Sequence, residues 1–132
     1  MVTKRTPQAR EKGVVVDSSI AVAWCFPDEK APYPQSVLDA LPESGAVVPS
    51  LWRLEVVNAL LMGERRGRCS QTDVSIWAGF LASLSIHIDE ETVRHACGET
   101  LILATIHTLS SYDAAYIELA LRRDLPLATL DR

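Results

Sequence analysis

The chain has 132 residues, of which 48% are hydrophobic and 23% charged; this fits one compact domain with a buried core and excludes an intrinsically disordered chain. No apolar run approaches the roughly 20 residues of a membrane span, and no signal-type apolar stretch follows Lys4, Arg5, Arg10 and Lys12, so a cytoplasmic protein with no membrane partner is expected. A net charge of −4 argues against a broad basic surface that would bind phosphates indiscriminately.

Residues 1–12, polar and basic with Pro7, are expected to form a flexible tail ahead of a domain over 13–132. Val14, Val15 and Val16 predict a short buried strand over 13–16 that delivers Asp17 at its end. Ser18 and Ser19 can cap a helix running to about Cys25, which Pro27 stops. Pro32 and Pro34 suggest a loop, followed by a helix over 35–41 and a strand over 46–48 closed by Pro49. The longest apolar-rich helix is predicted over 51–66, with Gly67 as its cap. Ser70 and Asp73 have the spacing of a capping box for a helix reaching about Leu84. A third strand is expected over 85–88, then a helix from Asp89, Glu90 and Glu91 to about His107. Ser110 and Ser111 open a last helix through Arg123, and a strand over 127–130 ends in Asp131. Strands alternating with helices indicate an α/β domain with a mainly parallel sheet.

Cys25, Cys69 and Cys97 form no CxxC pair, and His87, His95 and His107 stand apart from them and from one another. This spacing supports neither a disulfide framework nor a zinc site.

Four acids stand out. Asp17 and Asp131 both follow strands of one sheet, and open α/β sheets bind ligands beyond the carboxyl ends of their strands. Either alone also reads as an ordinary helix cap. Glu55 lies in a helix apolar on almost every side, sharing one face with Asn58, and a buried carboxylate needs a partner or a metal. Asp113 falls in the first turn of its helix, where it complements the dipole. It also lies on the stripe of Tyr116, Ile117, Ala120 and Leu121, which is expected to face the core. Two carboxylates about 4 Å apart repel by roughly 4 kcal/mol at an effective dielectric near 20, so four converging acids call for a cation. Oxygen ligands select a hard ion such as Mg²⁺ or Mn²⁺ over zinc. With these four set aside, the remaining acids number 13, matching the 13 bases.

Asp17 after three valines, Glu55 and Asn58 downstream of Pro49 and Trp52, Asp113 with Tyr116, and Asp131 after Leu127, Ala128, Thr129 and Leu130 resemble the PIN-domain nucleases over about residues 13–132. Within that family the pattern is most similar to the VapC toxins of bacterial toxin–antitoxin pairs. The resemblance implies a three-layer α/β/α domain and a Mg²⁺-dependent endoribonuclease, with Mn²⁺ able to substitute, acting on structured RNA. It further implies a homodimer and a cognate antitoxin whose tail occupies the acidic cleft. Asp17, Glu55, Asp113 and Asp131 would then be catalytic and metal-binding, with Ser19 and Asn58 in support. Family members usually continue past the fourth acid into a fifth strand, so a four-stranded sheet and a truncated C-terminus are expected here, with the 127–130 strand at an edge.

Arg65, Arg66 and Arg68 form a small basic knot that could hold RNA phosphates or simply complement a helix end. Trp24, Trp52 and Trp77 are expected in the core or a dimer contact, and Asp28 and Glu29 in a solvated turn. Two other readings compete. One is a PIN-like binding module without activity. The other is a phospho-accepting signalling domain, disfavoured by the single early Asp, by a middle acid placed inside a helix, and by the lack of Lys after Lys30.

Overall fold

The computed structural model describes residues 13–130; the expected basic tail over 1–12 and Asp131 lie outside the described residues. Four strands, β1 (Val14–Val16), β2 (Ala46–Pro49), β3 (Ile86–Asp89) and β4 (Leu127–Ala128), form a parallel sheet in the order β3-β2-β1-β4. Val15 and Val16 are consecutive, point to opposite faces of the pleat, and are both fully buried, so helices cover both faces. Among the described residues the α-helices are α1 (Ser18–Cys25), α2 (Pro32–Ser44), α3 (Trp52–Arg65), α4 (Gln71–Ala82), α5 (Leu101–His107) and α6 (Ser111–Arg123). α6 packs across β1 and β2 with α5 against it, while α1 packs on α2 and α3, and α3 on α4. Trp52, Phe26, Ile20, Leu41, Leu60 and Leu119 are the largest of the fully buried side chains, with Trp24 and Tyr116 beside them in the core. The expected α/β architecture and the edge position of β4 are both present.

Local signals act as their chemistry dictates at most boundaries. Ser70 and Asp73 close a reciprocal capping box at the start of α4, with bonds of 3.1 and 3.0 Å. Gly67 follows α3 with φ of +75°, a conformation that costs other residues. Within α3, Gly63 is required by contact: a Cβ there would stand 2.5 Å from the Phe26 ring.

Three expectations need correction. The stretch from Pro32 is helical from its first residue instead of a loop, because a proline in the first helical turn lacks only an N–H that would have no partner anyway. The helix expected over 89–107 is broken: a 3₁₀ turn (Val93–His95) and a π turn (Ala96–Thr100), distorted at Gly98 (φ −114°, ψ −107°), precede the short α5. Glycine holds a helix interior about 1 kcal/mol less well than alanine, which makes Gly98 the natural point of failure. Leu121 is 66% exposed and does not face the core, since α6 turns that edge away from the sheet.

Asp89 ends β3 instead of opening a helix. It is buried and held by Arg122 at 2.7 Å and by Arg123 at 3.3 Å. Arg122 also bonds the buried Glu118 one turn back on α6. Burial pushes the Asp89 carboxyl up, but the Arg122 hydrogen bonds and the charges of both arginines outweigh it and hold the carboxyl below its ordinary range.

Candidate active site

β2 lies on one side of β1 and β4 on the other, so the carboxyl ends of β1 and β4 form the point where the strand order reverses. The register Val16↔Ala128 sets residues 17 and 129 side by side just beyond the sheet. Asp17 uses this position twice. One carboxylate oxygen caps α1, accepting from the N–H groups of Ser19 at 3.1 Å and Ile20 at 3.3 Å and from the Ser19 hydroxyl. The other accepts from the Thr129 hydroxyl. The cap and site interpretations of Asp17 are therefore not exclusive. Ser19 also accepts from the Leu130 N–H at 3.0 Å, tying the start of α1 to the exit of β4.

Asp113 enters from α6. Ser110 caps that helix through the Asp113 N–H at 3.0 Å, leaving the carboxylate exposed on the first turn. Asp17 and Asp113 line one cavity of about 190 Å³ together with Tyr116, Thr129 and the apolar Leu109, Ile117 and Leu127. Glu55, half-buried in the first turn of α3, accepts a hydrogen bond from the Tyr116 phenol. Burial, the hydrogen bond to Glu55, the Glu55 charge and the Asp17 charge all push the phenol pKa far up, so Tyr116 stays a donor. Asn58, one turn beyond Glu55 on α3, is exposed.

The donors facing this cavity are oxygens. Two carboxylates without nitrogen or sulfur suit a hard cation that keeps most of its waters, as Mg²⁺ does. Among the described residues, no three Asp, Glu, His or Cys side chains converge closely enough to enclose an ion. A wider cavity of about 560 Å³ opens beside the first residues of β2 and β3, but its lining contains no carboxylate.

A PIN-domain family model matches residues 14–132. The chain belongs to the PIN-domain family. Over 124 residues this PIN domain is 31% identical to Ribonuclease VapC3 of Pyrobaculum aerophilum, an alignment covering 90% of this chain and 89% of that relative. Its structure resembles the crystal structure of PAE2754 from Pyrobaculum aerophilum, with TM-score 0.67 and 23% identity, across 99% of this chain and 85% of the other. It also resembles Mycobacterium tuberculosis VapC20, described as a sarcin-ricin loop cleaving toxin, with TM-score 0.59 and 14% identity over 90% of each chain. The family match and the full-length relative place this PIN domain with the VapC-type nucleases. The matched span includes Asp131.

Of the basic knot, Arg68 is engaged: it bonds Asp28 at 3.2 Å and Glu29 at 2.7 Å and lies 4.1 Å from the Phe26 ring centre. Asp28 and Glu29 are thus anchored, and Arg65 and Arg66 remain exposed on the PIN domain. Trp24 and Trp52 are buried, and Trp77 stands edge-on to Phe26 at 5.0 Å, so all three serve packing. Sequence reasoning alone misses Tyr116 and Thr129, whose hydroxyls hold Glu55 and Asp17. A usable signal existed for Tyr116: a tyrosine on a core stripe must find a hydrogen-bond partner.

Proposed function

We propose that this PIN domain is a divalent-metal-dependent endoribonuclease that cuts structured RNA, acting as the toxin of a toxin–antitoxin pair. The observation that carries this reading is the meeting of Asp17 and Asp113 on one cavity at the strand-order reversal, with Glu55 bonded to its Tyr116 wall. Asp17 and Asp113 would hold the cation, with Glu55 and Asp131 completing the acidic set. Mg²⁺, or Mn²⁺ in its place, supplies positive charge for a phosphodiester under attack and makes water a stronger nucleophile. Ser19 and Thr129 fix the Asp17 carboxylate so that it need not reorient when substrate arrives. Asn58 supports the Glu55 side of the cleft. Arg65 and Arg66 offer the exposed cations for RNA phosphates, a modest patch that leaves selection to RNA shape.

The name of the Pyrobaculum relative supports ribonuclease activity, and the VapC likeness supports a cognate antitoxin whose tail fills the acidic cleft. A homodimer is part of the same reading. The exposed Leu101, Ile102 and Ile106 of α5 offer an apolar face for it. Among the described residues no helix is long and apolar enough to cross a membrane.

The test is cleavage of a total-RNA pool with Mg²⁺, with Mn²⁺ and with EDTA, beside Asp17→Asn. Metal-dependent cutting that is lost in the variant supports the proposal. A folded, metal-loaded protein that cuts nothing would instead favour a binding module.

A further inference from the structure

We infer that Tyr116, which lines the cavity shared by Asp17 and Asp113, is a positioning residue that fixes the Glu55 carboxylate through its phenol; the inference rests on the nuclease reading above. Tyr116 comes from α6, is 3% exposed, and donates its hydroxyl proton to Glu55 Oε1 on α3. The hydrogen bond thus ties α6 to α3 across 61 residues of sequence. Glutamate is long and gives up much rotamer freedom when a single conformer is required. A carboxylate reached by a buried hydroxyl is held by a charge-assisted bond, stronger than a neutral one, and by a ring the core will not let move. The phenol has one proton to give. Giving it to Glu55, it presents only ring and oxygen to the cavity that Asp17 and Asp113 share. Tyr116 thereby spaces Glu55 from the other acids and keeps it aimed, without itself touching the reacting atoms.

Hydrogen-bond partners behind metal-holding side chains commonly govern affinity or activity by 10- to 100-fold. Tyr116→Phe removes only the hydroxyl and keeps the ring, so the melting temperature without metal should stay within a few degrees. Titration with Mn²⁺ alone, read by calorimetry or paramagnetic resonance, should show affinity weakened about tenfold. The kcat for RNA cleavage should fall by a similar factor with KM little changed. Introduced on Glu55→Gln, Y116F should add less than a twofold further loss. Equal losses in both backgrounds, or a lowered melting temperature with unchanged Mn²⁺ affinity and kcat, would overturn the inference. If Y116F does not fold, Glu55→Asp decides: it draws the carboxylate away from the phenol by one methylene, so Mn²⁺ affinity and kcat weakened about tenfold support the inference, and wild-type values overturn it. A wild-type protein that binds no Mn²⁺ and cuts no RNA would overturn the nuclease reading and this inference together.

Discussion

At the end of β3, Asp89 is 1% exposed and bridged to Arg122 and Arg123, with Glu118 sharing Arg122. At the end of β1, Asp17 is 7% exposed and satisfied by hydroxyls and backbone N–H groups; among the described residues no Lys or Arg pairs with it or with Asp113. Both clusters hold acids at the carboxyl edge of one sheet. Guanidinium groups complete the first, which therefore joins β3 to α6 and offers nothing to a ligand. Donors that fix geometry without cancelling charge surround the second, and it retains its attraction for a cation. The difference shows that burial of an acid does not mark a site. What sets the second cluster apart is that no guanidinium among the described residues pairs with its acids.

The comparison is broken most directly at Asp17. Asp17→Asn keeps a good helix cap, so stability should change by less than about 1 kcal/mol. RNA cleavage should nevertheless fall by about a thousandfold, measured as initial rate at saturating Mg²⁺. If cleavage survives, the charge of this cluster is not what the chemistry uses.

Arg122→Met tests the other cluster with the opposite outcome. Leaving Asp89 with Arg123 alone and Glu118 without Arg122 should cost about 3 kcal/mol in urea unfolding, while cleavage per folded molecule persists. The pH dependence follows from the depressed Asp89 carboxyl. Its ordinary value is 3.8 and the folded value is lower, so its contribution is complete above that value and is lost as pH falls through the folded one. In the variant, Asp89 loses its strongest partner and protonation relieves it, so the stability gap to wild type should narrow as pH drops from 7 toward 4.

Metal should discriminate between the clusters more gently. Mg²⁺ at about 100 times its dissociation constant should stabilise the wild type by about 2.7 kcal/mol, seen as a raised melting temperature. Arg122→Met should keep that increment and Asp17→Asn should lose it. The smallest effect is expected on the rim. Replacing Arg65 and Arg66 by Ala should lower the slope of log affinity for RNA against log salt by about 1 per arginine. An unchanged slope would remove these residues from the RNA path.

Much of this was legible in the chain. Three valines before Asp17, the Ser70 and Asp73 capping box and the alternation of strands and helices are local signals, and they act locally in the structure. Asp17, Glu55 and Asp113 were identifiable because a carboxylate placed among apolar residues or at a strand end is conspicuous in one dimension. The fates of Asp89 and Arg68 were not legible. Each looks solvated in its own neighbourhood, and the partners lie 33 residues away for Asp89 with Arg122 and 39 for Arg68 with Glu29.

By itself, then, the sequence determined an α/β domain, the nature of its acids, and which segments carry them, because propensity, capping and hydrophobic period act over a few residues. Tertiary structure decided that Asp89 and Glu118 meet guanidinium groups, and that the Tyr116 and Thr129 hydroxyls hold Glu55 and Asp17. Such pairings depend on the order β3-β2-β1-β4 and on where α6 crosses the sheet, a geometry that only the packed chain specifies.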